Sequence, residues 1–176
     1  MGNRAVITAS RSNNIAESND TGVYIHWNGG WDSVKGFLTY CKIAGFTSPE
    51  KDEKGYTQLG KVIQNFMKSS TVVVKPCCQL DCDNWDNGVY VIENWEIVGR
   101  KYFNGEEQHE YDLEEFVQYV DECQPEEDRI GADKIHILLD EMDAHDLEAT
   151  IKRNTKTLDD ETIHKIADII RTLTAK

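Results

Sequence analysis

GVYIHWNGGWDSVKGFLTYC, residues Gly22–Cys41, passes from strand to helix within twenty residues. Val23-Tyr24-Ile25-His26-Trp27 is β-branched and aromatic, the composition of a strand. Asn28-Gly29-Gly30 breaks it, and Asp32 or Ser33 is placed to cap a helix that runs to about Ile43. Val34, Phe37, Leu38 and Cys41 then fall at i, i+3, i+4 and i+7, one apolar stripe. Working outward, Arg4–Thr8 reads as an earlier strand, with a polar loop over 10–21. On the other side come a charged loop, Ser48–Gly55, and a second helix, Tyr56–Met67, through Leu59, Val62, Ile63 and Phe66. Val72-Val73-Val74 is a strand ended by Pro76. The turn signal Asp86-Asn87-Gly88 leads into strand Val89–Glu93, and Trp95–Tyr102 follows with Asn94 near the bend. Three further helices are predicted. One carries Tyr111, Leu113, Phe116, Val117 and Val120. The next, from about Ala132, carries Ile135, Leu138, Leu139 and Met142. The last, opened by Asp159-Asp160-Glu161, carries Ile163, Ile166, Ile170 and Leu173. This order is not a repeated β-α alternation. It predicts an α+β fold, an antiparallel sheet of about five strands covered by helices, with a helical C-terminal part. The expected division is 1–128, ending in the acidic helix, and 129–176, a helical extension that packs on it or mediates oligomerisation.

The 176 residues include 39% hydrophobic and 9% aromatic side chains, which fits a folded chain with a real core. No apolar run approaches the roughly 20 residues needed to span a bilayer. The N-terminus has no signal-peptide core, and Val6 stands where a myristoylation signal needs Ser or Thr, so a cytoplasmic location is expected. A net charge of −13 disfavours direct binding to nucleic acid or to anionic lipid. That charge is local. Residues 1–105 balance, whereas residues 106–128 carry 11 acidic side chains and no Lys or Arg. The apolar residues of this segment keep helical spacing, so Asp112, Glu114, Glu115, Asp121 and Glu122 are expected on the outward faces, with Glu126, Glu127 and Asp128 after Pro125. Two readings follow: a solvated helix face, or a carboxylate array that docks on a basic surface.

Several constellations invite chemistry and most decline it. Cys41, Cys77, Cys78, Cys82 and Cys123 lack the paired spacing of a zinc site and read as reduced thiols. The five histidines are scattered, and no metal or cofactor is expected. Asp81–Gly88 resembles a calcium loop, but Trp85 occupies a ligand position and no Glu stands twelfth, so Asx turns explain it better. Trp27, Trp31, Trp85 and Trp95 cluster near the two turn-rich regions, where one or two suit a protein interface. Gly29, Gly30, Trp31, Asp32 and Ser33 form the candidate loop site. With Asn28 they resemble the SGGxDS loop of the PP-loop ATP pyrophosphatases, whose glycines let backbone approach a pyrophosphate. Asn28 replaces the first Ser, and Trp31 adds a ring. No catalytic set emerges.

Gly22–Cys41 together with LDCDNWDNGVYVIENWEIVGRKYF, Leu80–Phe103, resembles a family of small proteins from Firmicutes phages and mobile elements. Members open with a strand like MGNRAVIT, here Met1–Thr8. The family resemblance implies an anti-CRISPR role, inhibition of a type II RNA-guided nuclease. Such nucleases hold nucleic acid in positively charged channels. The expectation is therefore a non-enzymatic inhibitor in a bacterial host cell, monomer or homodimer. It would bind a basic protein surface, a guide-loaded CRISPR effector, through Asp112, Glu114, Glu115, Asp121, Glu122, Glu126, Glu127 and Asp128. The alternatives are a small nucleotide-binding enzyme that uses the Gly-Gly loop, and an assembly protein of a mobile element.

Overall fold

The computed structural model describes residues 2–68, 72–105, 111–154 and 158–174, the side chains of 173 and 174 excepted. Contacts divide the chain into two units, Met1–Gly131 and Ala132–Lys176. The first unit holds strands β1 (Ala5–Thr8), β2 (Thr21–Ile25), β3 (Val72–Pro76), β4 (Val89–Glu93) and β5 (Glu96–Lys101). It also holds helices α1 (Trp31–Ile43), α2 (Lys54–Met67) and α3 (Leu113–Glu122). The strands form one sheet in the order β3-β2-β1-β4-β5.

The fold is α+β, as the element order predicts, but the sheet is mixed rather than wholly antiparallel. β1 and β4 run parallel, with Val6 beside Val89 and Thr8 beside Val91. The remaining pairs are antiparallel. The physical reason lies in residues 77–88. They pass under the sheet on the face opposite the helices and deliver β4 next to β1 in the same direction. That passage is fixed by burial: Cys77, Cys82 and Ile15 pack against Val6, Val89 and Val91, with Leu80 alongside. All four residues of β1 are buried, so the central strand is covered on both faces.

α1 is buried on more than the single stripe its spacing predicts. Ser33, Gly36, Thr39 and Tyr40 are buried together with Val34, Phe37, Leu38 and Cys41. α1 packs on α2 and carries α3 on its outer side. Phe37, Phe66 and Phe116 close the three-helix junction, with ring centroids 5.1–5.3 Å apart. Gly36 permits this approach, since a Cβ there would stand 2.2 Å from the Phe116 ring. The helix also starts earlier than the sequence suggests. Gly30 is its N-cap and no side chain caps it, so Asp32 and Ser33 lie in the first turn.

β4 and β5 are joined by Asn94 and Trp95, both at positive φ (49° and 65°), the two-residue turn that matches strand twist. Trp95 thus belongs to the turn and not to β5. Its unfavourable backbone is offset by a buried indole whose Nε1–H donates to Phe46 O at 2.9 Å.

The second unit is a helical hairpin, α4 (Ala132–Asn154) and α5 (Asp160–Thr174). Lys152 Nζ reaches Asp160 at 2.6 Å and His164 Nδ1 meets Glu148 Oε1 at 2.7 Å. Ile135, Leu139, Ile163 and Ala167 are buried, whereas Ile137, Ile169 and Ile170 are exposed. The expected stripe position Leu173 has its side chain outside the described residues. No helix among the described residues is long and apolar enough to cross a membrane.

Candidate protein-binding surface

The acidic helix begins at Asp112, whose side chain accepts the Glu115 amide at 3.0 Å, a proper N-cap. Phe116, Val117 and Val120 are buried, which turns the remaining positions outward. Asp112, Glu115 and Glu122 are exposed, as are Glu126, Glu127 and Asp128 in the following 3-10 turn. Glu114 is half-buried and accepts from Gln118 Nε2 at 3.1 Å. Lys61 on α2 lies 3.4 Å from Asp128. Residues 106–110, which belong to the acidic segment of the sequence, lie outside the described residues.

Asp121 departs from the expected array. It is buried, and its carboxylate accepts from the Tyr40 hydroxyl (3.0 Å) and from the amides of Ile130 (2.8 Å) and Gly131 (2.9 Å). It is a structural anion that ties α3 to α1 and to the end of its unit, not a contact for a partner. Its position at i+4 from Val117 and i+1 from Val120 places it on the apolar face. Burial, aided by the Asp121 hydrogen bond, pushes the Tyr40 phenol above its ordinary 10.0. Gln124 completes the anchor, donating to Val62 O (3.3 Å) and Val120 O (2.8 Å) while Asn65 donates to it (2.9 Å). The exposed carboxylates therefore ride on a firmly seated element.

The Gly-Gly loop is explained by packing. The Gly29 amide donates to Asn3 O at 2.8 Å, and its carbonyl accepts from the Tyr90 hydroxyl at 2.9 Å. A Cβ on Gly29 would stand 2.6 Å from Asn3 O and 2.7 Å from Arg4 C. The glycine thus lets the loop lie against the chain leading into β1, and its N–H is already engaged. Gly30 and Ser33 are buried, Asp32 is half-buried, and Trp31 is exposed with its ring 6.0 Å from Tyr90.

A polar network that sequence reasoning missed lies at the same edge of the sheet. Arg4 Nε meets Asp86 Oδ2 at 2.5 Å, and Asn87 Nδ2 donates to Asn3 Oδ1 at 2.7 Å. Arg100 donates to Asn87 Oδ1 at 2.9 Å. Asn84 Oδ1 accepts from the amides of Asp86 (3.1 Å) and Gly88 (3.0 Å), the Asx arrangement the sequence suggests. Asn84, Asp86 and Asn87 are all buried. The turn residues signal a loop, but partners more than eighty residues away leave no local trace.

A shallow hollow of about 430 Å³ opens at the opposite edge, beyond the ends of β1 and β4. Asp20, Glu50, Glu53 and Glu93 line it with Arg11, which pairs with Glu93 at 2.9 Å. Hydrogen bonds from Ser10 and Ser18 hold the Asp20 carboxyl below its usual range. The Tyr56 hydroxyl there accepts from the Ala9 amide at 2.8 Å. Cys41, Cys77 and Cys82 are buried thiols, Cys78 is exposed and Cys123 is half-buried. Among the described residues, no three His, Cys, Asp or Glu side chains gather in a metal-holding group. No family model, curated protein or solved structure matches the chain.

Proposed function

We propose that this chain is a non-enzymatic inhibitor that docks an acidic surface on a basic surface of a guide-loaded type II CRISPR nuclease. The observation that carries the reading is the exposed set Glu115, Glu122, Glu126 and Glu127, displayed on an element seated by the Phe116 contacts and the Asp121 anchor. Such an array matches the sign of a channel built to hold nucleic acid, and the protein would occupy it in place of DNA. The target class comes from the resemblance of Gly22–Cys41 and Leu80–Phe103 to phage and mobile-element proteins. Action in the bacterial host cytoplasm, with no cofactor, belongs to the same proposal.

The test is gel filtration with light scattering of the chain mixed with guide-loaded effectors, followed by DNA cleavage on the same samples. A stoichiometric complex with cleavage abolished is the expected outcome. Reversal of Glu115, Glu122, Glu126 and Glu127 to Lys should weaken binding by at least about 100-fold, and binding by the unaltered chain should fall steeply with salt. A folded variant that inhibits as well as the parent would remove the acidic mechanism. Absence of any complex across several effectors would remove the target class.

A further inference from the structure

Cys77-Cys78-Gln79-Leu80-Asp81-Cys82 opens the passage from β3 to β4, and its backbone turns back on itself twice. The Leu80 amide donates to Cys77 O at 3.0 Å, and the Cys82 amide donates to Leu80 O at 3.0 Å. The turn is anchored upstream, where the Cys77 amide donates to Asp20 O (2.8 Å) and the Cys78 amide to Ser18 O (2.9 Å). Two thiols five residues apart meet as a result. Cys82 Sγ donates to Cys77 O at 3.5 Å, and the two sulfurs lie within hydrogen-bonding reach of each other. Both are buried in one cluster with Val6, Ile15, Val89 and Val91. A Cβ on Gly22 would stand 3.0 Å from Cys77 Sγ, so β2 backs that sulfur closely.

A buried thiol often serves only as a small core side chain. This pair differs in how its protons are held. The hydrogen bond from Cys82 draws the Cys77 thiol down to about 7 against the opposing effect of burial, and the same bond holds the Cys82 thiol above its ordinary range. Cys77 is then partly thiolate, the nucleophilic form, at neutral pH, with a second thiol beside it. Cys41 has no such help, since burial alone pushes its thiol up. Cys78 is exposed, with Sγ 3.5 Å from Asn19 Oδ1. We infer that Cys77 and Cys82 form a reversible dithiol–disulfide site whose oxidant is a small peroxide. The Cys77 thiolate attacks one peroxide oxygen, the O–O bond breaks and hydroxide leaves, so Cys77 becomes a sulfenic acid. The Cys82 sulfur then gives up its proton and displaces the sulfenic oxygen as water, which forms the S–S bond. In sum, the two thiols lose two electrons and two protons, and hydrogen peroxide is reduced to two waters. Burial selects the oxidant: a peroxide is small enough to reach the pair, whereas a bulky disulfide meets the exposed Cys78 first. The bridge closes a loop of six residues at the entry to β4, a staple on the passage that sets the direction of that strand. This site is independent of the acidic surface on α3, and neither reading needs the other.

The test treats the intact, unaltered chain with a small excess of hydrogen peroxide, alkylates the remaining thiols under denaturing conditions and maps the peptides by mass. The expected product is about 2 Da lighter before alkylation, carries a Cys77–Cys82 crosslink and takes two fewer alkyl groups than the five of the reduced chain. Dithiothreitol should restore all five. The bridging rate should reach half its maximum near pH 7, not near the ordinary 9.0 of a thiol. Cys78→Ser should bridge as fast as the parent, and Cys82→Ser should stop at a Cys77 sulfenic acid that dimedone captures. The oxidised chain should melt several degrees above the reduced one. Oxidation confined to Cys78, a Cys77–Cys78 bridge or no oxidation at all would overturn the site, and each is read on the unaltered chain without any variant. A half-maximum near pH 9 would overturn Cys77 as the attacking thiolate. Faster bridging by oxidised glutathione than by peroxide would overturn the oxidant class, and an unchanged melt would overturn the staple.

Discussion

Asp121 and Tyr40 join α3 to α1 through a hydrogen bond buried in the first unit. A buried carboxylate is costly unless its lone pairs are satisfied, and this one has the Tyr40 hydroxyl and two backbone amides as donors. Tyr40→Phe deletes one donor to a charged acceptor and should cost about 1.5–3 kcal/mol, read from urea unfolding at pH 8. The pH dependence has a fixed sign. The folded phenol sits above its ordinary 10.0, so the stability it contributes is complete below that pH and is lost as pH rises further. The gap between the parent and Tyr40→Phe should therefore narrow above about pH 10, by up to roughly 1.4 kcal/mol per pH unit. A gap that stays constant to pH 11 would contradict the buried, raised phenol. Cys41, raised by burial, begins a similar loss from its ordinary 9.0 in both proteins.

At the scale of elements, the decisive contact is α1 against α3. Gly36 has no conformational role, since it lies inside a helix where glycine is unfavourable. Its value is the missing Cβ, which admits the Phe116 ring. Gly36→Ala gains helix propensity but overpacks the junction, and a net loss of about 1–3 kcal/mol is expected in thermal or urea melts. Phe116→Leu in the same chain should recover part of that loss by vacating the space. If Gly36→Ala proves stabilising alone, the helices are not in the close contact described. Helix periodicity made the existence and apolar positions of α1, α2 and α3 readable. It did not make α1's burial on several sides readable, because a stripe reports one neighbour and α1 has neighbours on both sides.

For the whole molecule, the boundary matters. The sequence reading ends the first domain at 128, after the last acidic cluster, whereas the first compact unit extends to Gly131. The three-residue difference includes the two amides that bind Asp121. A chain that ends at Gly131 should melt cooperatively, within a few degrees of the first unit in the parent. A chain that ends at Asp128 lacks both donors and should be less stable by several kcal/mol, since each leaves a buried anion short of a partner. Equal melting of the two shortened chains would show that the Asp121 anchor contributes little.

Taken by itself, the amino-acid order determined the α+β class, the main helices and strands, the acidic segment and the presence of Asx turns within Asp81–Gly88, because each rests on spacing or composition within a few residues. Tertiary structure decided the rest. It placed β4 parallel to β1, moved Asp121 from the outward array into the core, and explained Gly29 by contact with Asn3 and Arg4. Those outcomes depend on contacts between residues far apart in the chain, and their energies are fixed by which surfaces lose water together. Local periodicity carries no record of that choice.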